Sequence, residues 1–332
     1  MQRHFATSIN LYESNCMDRK LKIIADKFIP FLSGRLESIA RVEYLDPVVI
    51  NSDAIKDADA LIVRTRTRCD ERLLAGSSVK FIATATIGYD HIDTDFCKLN
   101  GISWSNAAGC NAQSVCDYVE EVLYELNVEK VKTIGIIGVG HVGSLVAEMA
   151  RRMGYKVLLN DPPKGLGDDI DTLIRKADVI TFHTPLVDTG EYPTRYMCDT
   201  DFLRRCKPNV VIINAARGGI IDEQAALGDN NVGKTFVIDT WENEPDINQE
   251  MLNRAKIATY HIAGYTLQGK LNATNICLNA LCKHFGLEPV GVDTVLLPEA
   301  IPLSHGWLKP IDFQLRQTPK QFERLRETYK LR

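Results

Sequence analysis

No stretch of this 332-residue chain holds the ~20 consecutive apolar residues that a membrane span requires, so no membrane association through a spanning helix is expected. An excess of one charge is also missing. Lysine and arginine total 39 against 43 aspartates and glutamates, a net of -4, which argues against a nucleic-acid-binding surface. The nine cysteines include no C-x-x-C pair and are odd in number, which speaks against a disulfide framework and for reduced thiols in a cytoplasmic protein. No metal site is visible. Residues 1–19 lack both the apolar core of a secretory signal and any periodicity, and read as a disordered extension or an upstream start ahead of the first strand. What the chain does have is length for about two domains, each with its own core.

It is organised around Lys132 to Asp161, K-T-I-G-I-I-G-V-G-H-V-G-S-L-V-A-E-M-A-R-R-M-G-Y-K-V-L-L-N-D. Ile134, Ile136 and Ile137 supply a β-branched strand, and Gly138, Gly140 and Gly143 form a G-x-G-x-x-G run where that strand hands over to a helix. Gly138 allows the tight turn, Gly140 admits a pyrophosphate close to the backbone, and Gly143 lets the helix lie on the sheet. Free N–H groups at the helix start, at His141 and Val142, attract the phosphates. Val142, Leu145, Val146 and Met149 recur at helical spacing, Gly154 stops the helix, and Lys156 to Leu159 form a second strand leading to Asp161. A carboxylate there bonds the adenosine ribose hydroxyls and repels a 2′-phosphate, so the expected cofactor is NAD rather than NADP.

Around this unit the chain divides into three stretches. Residues 21–111 read as a smaller α/β domain, with strand-like runs at Leu21 to Ala25, Val42 to Leu45, Ala60 to Arg64 and Lys80 to Ala83, and helical apolar spacing through Leu36 and Ile39. From Asn111, a plausible helix cap, Val115, Val119, Val122 and Leu126 keep one apolar face through a long helix. Runs at Val179 to Phe182, Val210 to Ile213, Phe236 to Ile238 and Ile257 to Ala258 then complete a doubly wound parallel sheet over 112–267. Residues 268–332 are expected to return to the first domain, with Phe322, Leu325 and Tyr329 on one face of a docked amphipathic helix. The expected class is α/β, a Rossmann NAD domain beside a smaller flavodoxin-like substrate domain.

Polar clusters follow successive runs of the larger sheet, at the strand ends where open α/β sheets bind ligands. Arg217 stands in N-A-A-R-G-G, Glu244 in W-E-N-E-P and His261 in H-I-A-G-Y-T. Together they suit hydride transfer at a hydroxy acid carbon: Arg217 as the planar, permanently charged fork for the substrate carboxylate, His261 as the base that takes the hydroxyl proton, and Glu244 as the carboxylate that orients the ring. His183 reads as structural support, and nothing around Cys110 marks its thiol as a nucleophile.

These segments, with T-A-T-I-G-Y-D-H-I-D, G-C-N-A, D-P-P and F-H-T-P-L, resemble the D-isomer-specific 2-hydroxyacid dehydrogenases over about residues 21 to 290. The narrower resemblance is to the branch that serves vitamin B6 coenzyme synthesis. It implies NAD-dependent oxidation of 4-phospho-D-erythronate at C2, with Arg217, Glu244 and His261 in the active site and His261 the proton carrier. It also places Asp161, Thr184, Ala215, Ala216, Arg217, Asp239 and Gly264 at NAD, and Thr65, Thr86 and Tyr265 at the substrate. A homodimer is implied too, although the chain after Val290 looks shortened against the family's dimerisation region. A sibling enzyme on another hydroxy acid, such as a phosphoglycerate, and an NAD-responsive corepressor on the same scaffold remain open.

A substrate with a carboxylate at one end and a phosphate at the other needs two cationic anchors, and Arg217 serves only one. Arg64, Arg66 and Arg68 occupy alternate positions leaving a strand, so an extended backbone would project all three from one face. Arg64 and Arg66 are therefore the expected contacts for the phosphate.

Overall fold

A computed structural model describes residues 20–291 and 305–330, which fall into two compact units. The first comprises 20–108 and 273–291 and the second 109–272 and 305–330, the chain crossing between them at Gly109 and inside the helix Leu267–Phe285.

The first unit is built on five parallel strands, β1 (Leu21–Asp26), β2 (Ala40–Leu45), β3 (Ala60–Val63), β4 (Phe81–Thr84) and β5 (Ser103–Asn106), in the order β2-β1-β3-β4-β5. That order is the flavodoxin-like one. β3 and β4 are buried at every position, which explains why both read as unbroken apolar runs rather than as alternations. The short helices between strands start where Asn51, Asp70 and Asp93 accept bonds from amides three residues on. One expectation fails here: no helix runs through Leu36 and Ile39. Pro30 is followed by left-handed backbone at Phe31 (φ 63°) and Gly34 (φ 84°), and the segment closes as a series of turns.

The second unit carries β6 (Thr133–Ile137), β7 (Lys156–Asp161), β8 (Leu166–Gly167), β9 (Val179–Phe182), β10 (Val211–Asn214), β11 (Thr235–Ile238) and β12 (Ile257–Ala258). Their order is β12-β11-β10-β9-β6-β7-β8, parallel throughout except for the short antiparallel β8. β6 pairs with β7 on one side and β9 on the other, so the winding reverses beside the loop that follows β6. This is the doubly wound sheet with its ligand crevice at the reversal point.

The C-terminal residues need a correction. Residues 305–330 do not return to the first unit; they pack on the second, where Leu308, Ile311, Leu315 and Phe322 join the buried core. The cause is the bare edge of β12. Asp312 on the helix Leu308–Gln317 accepts from the amide of Ala258 at 2.7 Å, and Arg316 donates to the carbonyls of Leu252 and Ala255 at 2.7 and 2.8 Å. The helix Phe322–Glu327 follows, with Phe322 buried as its spacing predicts. No described helix is long and apolar enough to cross a membrane.

Candidate active site

The glycine loop is shaped by what its neighbours leave no room for. Gly138 has φ 87°, and a Cβ there would stand 2.7 Å from the carbonyl of His183; a Cβ on Gly143 would stand 1.9 Å from the carbonyl oxygen of Gly138. Gly140 instead opens onto free space at the start of the helix His141–Arg152. The first amides of that helix have no partner within it and point where an anion is stabilised. Asp161, at the end of β7, is buried, and its Oδ2 accepts from the amide of Val139 at 2.8 Å. Lys164 closes over the same place, 3.6 Å from Asp161 and donating to the carbonyl of Val139 at 2.7 Å.

Among the buried polar atoms of this unit without a hydrogen-bond partner are Oγ1 of Thr184, just past β9, and Oδ1 of Asn111. Asn111 stands at the N-cap of the helix Ala112–Glu125 but makes no side-chain cap bond. Its amide lies against Gly264, where a Cβ would meet Nδ2 at 2.0 Å. A helix start, a carboxylate on the second strand and an orphaned hydroxyl just past β9 fit a dinucleotide, because each is a group that a bound ligand can satisfy.

Beyond β10, Asn214 ties the next loop down. Its Oδ1 accepts from the amide of Ala216 at 3.1 Å and its Nδ2 donates to the carbonyl of Arg217 at 2.8 Å. Gly218 then passes so close to Trp241 that a Cβ would come within 1.7 Å of the Trp241 carbonyl oxygen, which brings the Arg217 loop against the Glu244 loop. Arg217 keeps most of its fork uncommitted, Nη1 donating to the carbonyl of Ala216 at 2.7 Å.

Glu244 and His261, 17 residues apart, meet. Nδ1 of His261 is 2.7 Å from Oε2 of Glu244, whose Oε1 accepts from the amide of Trp241 at 2.8 Å. A carboxylate only accepts, so the ring proton sits on Nδ1 and Nε2 is left to take another. His261 itself has φ 58°, a left-handed conformation uncommon for a side-chain-bearing residue. Asp239 holds it there: its Oδ1 accepts from Thr259 Oγ1 and the amide of Ile262 at 2.6 and 2.8 Å, its Oδ2 from the amide of Ala263 at 3.0 Å. Asp239, which the resemblance puts at NAD, thus spends both carboxylate oxygens as a clamp on the histidine loop, a role the sequence does not mark, as is that of Asn214. His183 is half-buried with its Nε2 3.1 Å from Thr181 Oγ1, and desolvation pushes its pKa down to about 3, which favours the neutral ring and a supporting role. The Cys110 thiol is pushed up to about 11 by burial, the wrong direction for a nucleophile.

In the first unit Thr86 belongs to a chain of hydroxyls, 2.7 Å from Thr84 Oγ1, which is itself 2.9 Å from His91 Nε2. Thr65 is exposed. The expected arginine face is not formed. β3 ends at Val63, and a turn closed by the Thr67 amide on the Arg64 carbonyl at 3.1 Å breaks the alternation that an extended chain would give. Arg64 turns inward to Asp26, Nε to Oδ2 at 2.8 Å and Nη2 to Oδ1 at 3.2 Å, while Arg66 and Arg68 are exposed.

Known proteins share this fold. Residues 117–263 match the family described as D-isomer specific 2-hydroxyacid dehydrogenase, NAD binding domain. An erythronate-4-phosphate dehydrogenase of Bacteroides fragilis is 42% identical, the match covering 94% of this chain and 97% of that one. The corresponding enzyme of Hydrogenovibrio crunogenus is 42% identical over 80% of this chain and 73% of its own. Among solved structures, NAD+-bound 3-phosphoglycerate dehydrogenase of Entamoeba histolytica superposes with a TM-score of 0.67 at 28% identity, over 83% of this chain and 99% of that one. The match takes in 97% of the Bacteroides fragilis relative and 73% of the Hydrogenovibrio crunogenus one.

Proposed function

Since the chain belongs to the erythronate-4-phosphate dehydrogenases within the D-isomer-specific 2-hydroxyacid dehydrogenase family, we propose that it oxidises 4-phospho-D-erythronate at C2 to 2-oxo-3-hydroxy-4-phosphobutanoate. The observation that carries the reading is the His261–Glu244 pair at 2.7 Å on the strand-end edge that also bears the glycine loop and the Arg217 loop. NAD, when bound, accepts the hydride that leaves C2. Arg217 holds the substrate carboxylate and polarises the C2 oxygen, as its uncommitted fork allows. Nε2 of His261 takes the hydroxyl proton as the hydride departs, and Glu244 stabilises the imidazolium so formed. Thr184, Ala215, Ala216 and Gly264 border the cofactor, with Thr65, Thr86 and Tyr265 assigned to the substrate. We place the enzyme in the cytoplasm as a homodimer; the eight described cysteines, all free, suit a reducing compartment, and sedimentation at working concentration reads the assembly.

The test is a panel of hydroxy acids with NAD and with NADP, followed by nicotinamide absorbance. The highest kcat/KM is expected with 4-phosphoerythronate and NAD. Faster turnover of 3-phosphoglycerate would move the assignment to a sibling activity, and no turnover of any acid would leave a binding protein. In the same assay Asp161→Ala is expected to shift the NAD to NADP efficiency ratio toward NADP by about tenfold or more, one lost charge-assisted contact. Lys164, 3.6 Å from that carboxylate, would remain to meet a 2′-phosphate. An unchanged ratio removes Asp161 from the ribose site.

A further inference from the structure

Arg326 lies on the C-terminal helix Phe322–Glu327, and its guanidinium carbon is 5.1 Å from the ring centroid of Tyr265. Lys270, in the first turn of the helix Leu267–Phe285, brings a second cation to the same ring, its Nζ 5.4 Å from the centroid. Stacking on an aromatic face attracts one cation; two converging on a single neutral ring repel each other, and an anion between or beside them relieves that repulsion. Arg326 is also short of partners. Its Nε is buried without a hydrogen bond, and its ion pair among the described residues is a loose 3.8 Å approach of Nη1 to Glu323. An inward-turned guanidinium with so little compensation is costly unless a ligand supplies it.

The place is suited to the far end of the substrate. Tyr265 closes the loop that begins at His261, its amide donating to the carbonyl of Ile262 at 2.9 Å, so the two α-carbons of that turn stand within about 7 Å. From C2 to the phosphorus of a four-carbon acid phosphorylated at its end is about 5 to 6 Å at ordinary bond lengths. With Arg64 spent on Asp26 and Arg66 on an exposed turn, the second anchor that a doubly anionic substrate needs is open to a cation beside the histidine loop.

We propose that Arg326, seated on Tyr265 beside Lys270, binds the terminal phosphate of the substrate and sets the preference for a phosphorylated over an unphosphorylated hydroxy acid. This rests on the hydroxy-acid dehydrogenase reading. A purely architectural Arg326, fixing the tail to the histidine loop, would affect both kinds of acid alike.

Full-length Arg326→Gln and Arg326→Lys are compared with the unmodified enzyme in two measurements. In turnover, Arg326→Gln is expected to raise KM for 4-phosphoerythronate on the order of tenfold to a hundredfold, the weight of one charge-assisted bond, while KM for erythronate moves little; Arg326→Lys recovers part of the loss. In titration calorimetry with inorganic phosphate, Arg326→Gln is expected to weaken binding by a similar factor, a reading that needs no turnover. Equal rises in KM for both acids, or unweakened phosphate binding in a folded Arg326→Gln protein, overturns the proposal. Arg326-dependent phosphate binding without preference between the two acids keeps the anion site and sinks the choice of substrate.

Discussion

A protein carrying His261→Ala is expected to lose about 10²- to 10⁴-fold in the rate of hydride transfer, the usual weight of a positioned base, with NAD affinity nearly unchanged. The loss follows from the fixed tautomer: Glu244 holds Nδ1 at 2.7 Å, so the proton from the substrate hydroxyl has Nε2 as its acceptor, and alanine offers none. Alanine also has to adopt a φ of 58°, a left-handed conformation that histidine and asparagine take up more readily than most side-chain-bearing residues. His261→Asn separates the two effects, because asparagine tolerates that conformation yet cannot serve as the base. Both variants should show the same slow single-turnover reduction of NAD. Glu244→Gln should lose less, since its amide keeps the shape of the contact but can present a donor to Nδ1 and favour the wrong tautomer. Turnover within a few-fold of normal in folded His261→Asn would remove His261 as the base.

The parts of this site that could be read from the sequence are those whose cause is local. Gly143 is glycine because the Gly138 carbonyl lies five residues back in the same turn, and Asp161 ends its strand; a strand, a turn and a helix of fixed length leave a pattern that can be counted. The α/β class, the NAD domain and the family were legible for that reason, and the solved relatives bear them out. Asp239 shows the opposite case. Its carboxylate acts on the amides of Ile262 and Ala263, and a backbone amide carries no mark in the sequence of what will accept from it. The apolar spacing of Phe322 and Leu325 was legible, although the helix ends at Glu327 before Tyr329; the helix Leu308–Gln317 and its seat on β12 were not, because that edge exists only once the sheet is assembled. The polar edge strand Ser103–Asn106 went unread since S-W-S-N lacks the apolar signature that marked its neighbours. The arginine run failed for a related reason: alternating charges read the same in a strand and in a turn. What decides the direction of Arg64 is an acid 38 residues upstream.

That acid makes Arg64→Ala a stability variant, expected to cost the first unit about 3 kcal/mol, the lower part of the range for a buried carboxylate stripped of its partner. Asp26 ends β1 with no exposed surface, whereas the Arg64 side chain is 30% exposed, so the loss falls mainly on the acid left behind. The pair is bidentate, at 2.8 and 3.2 Å, and Asp26 Oδ1 also accepts from the amide of Phe28 at 2.8 Å, while the guanidinium lies 5.7 Å from the Phe28 ring centroid. Removing Arg64 therefore leaves a desolvated charge between β1 and β3, the paired strands on which the smaller sheet is built. Urea unfolding should show an earlier midpoint for that unit, and amide exchange should quicken at Ile24, Ala25 and Ile62, three buried residues of those strands. Asp26→Asn combined with Arg64→Ala should recover part of the loss, because the charge that the arginine compensated has gone too. The competing expectation, that Arg64 grips the substrate phosphate, makes the reverse forecast: a raised KM for 4-phosphoerythronate with stability intact. Unfolding curves that superpose, together with a loss of preference for the phosphorylated acid, would return Arg64 to the substrate and leave Asp26 without the partner that the fold assigns it.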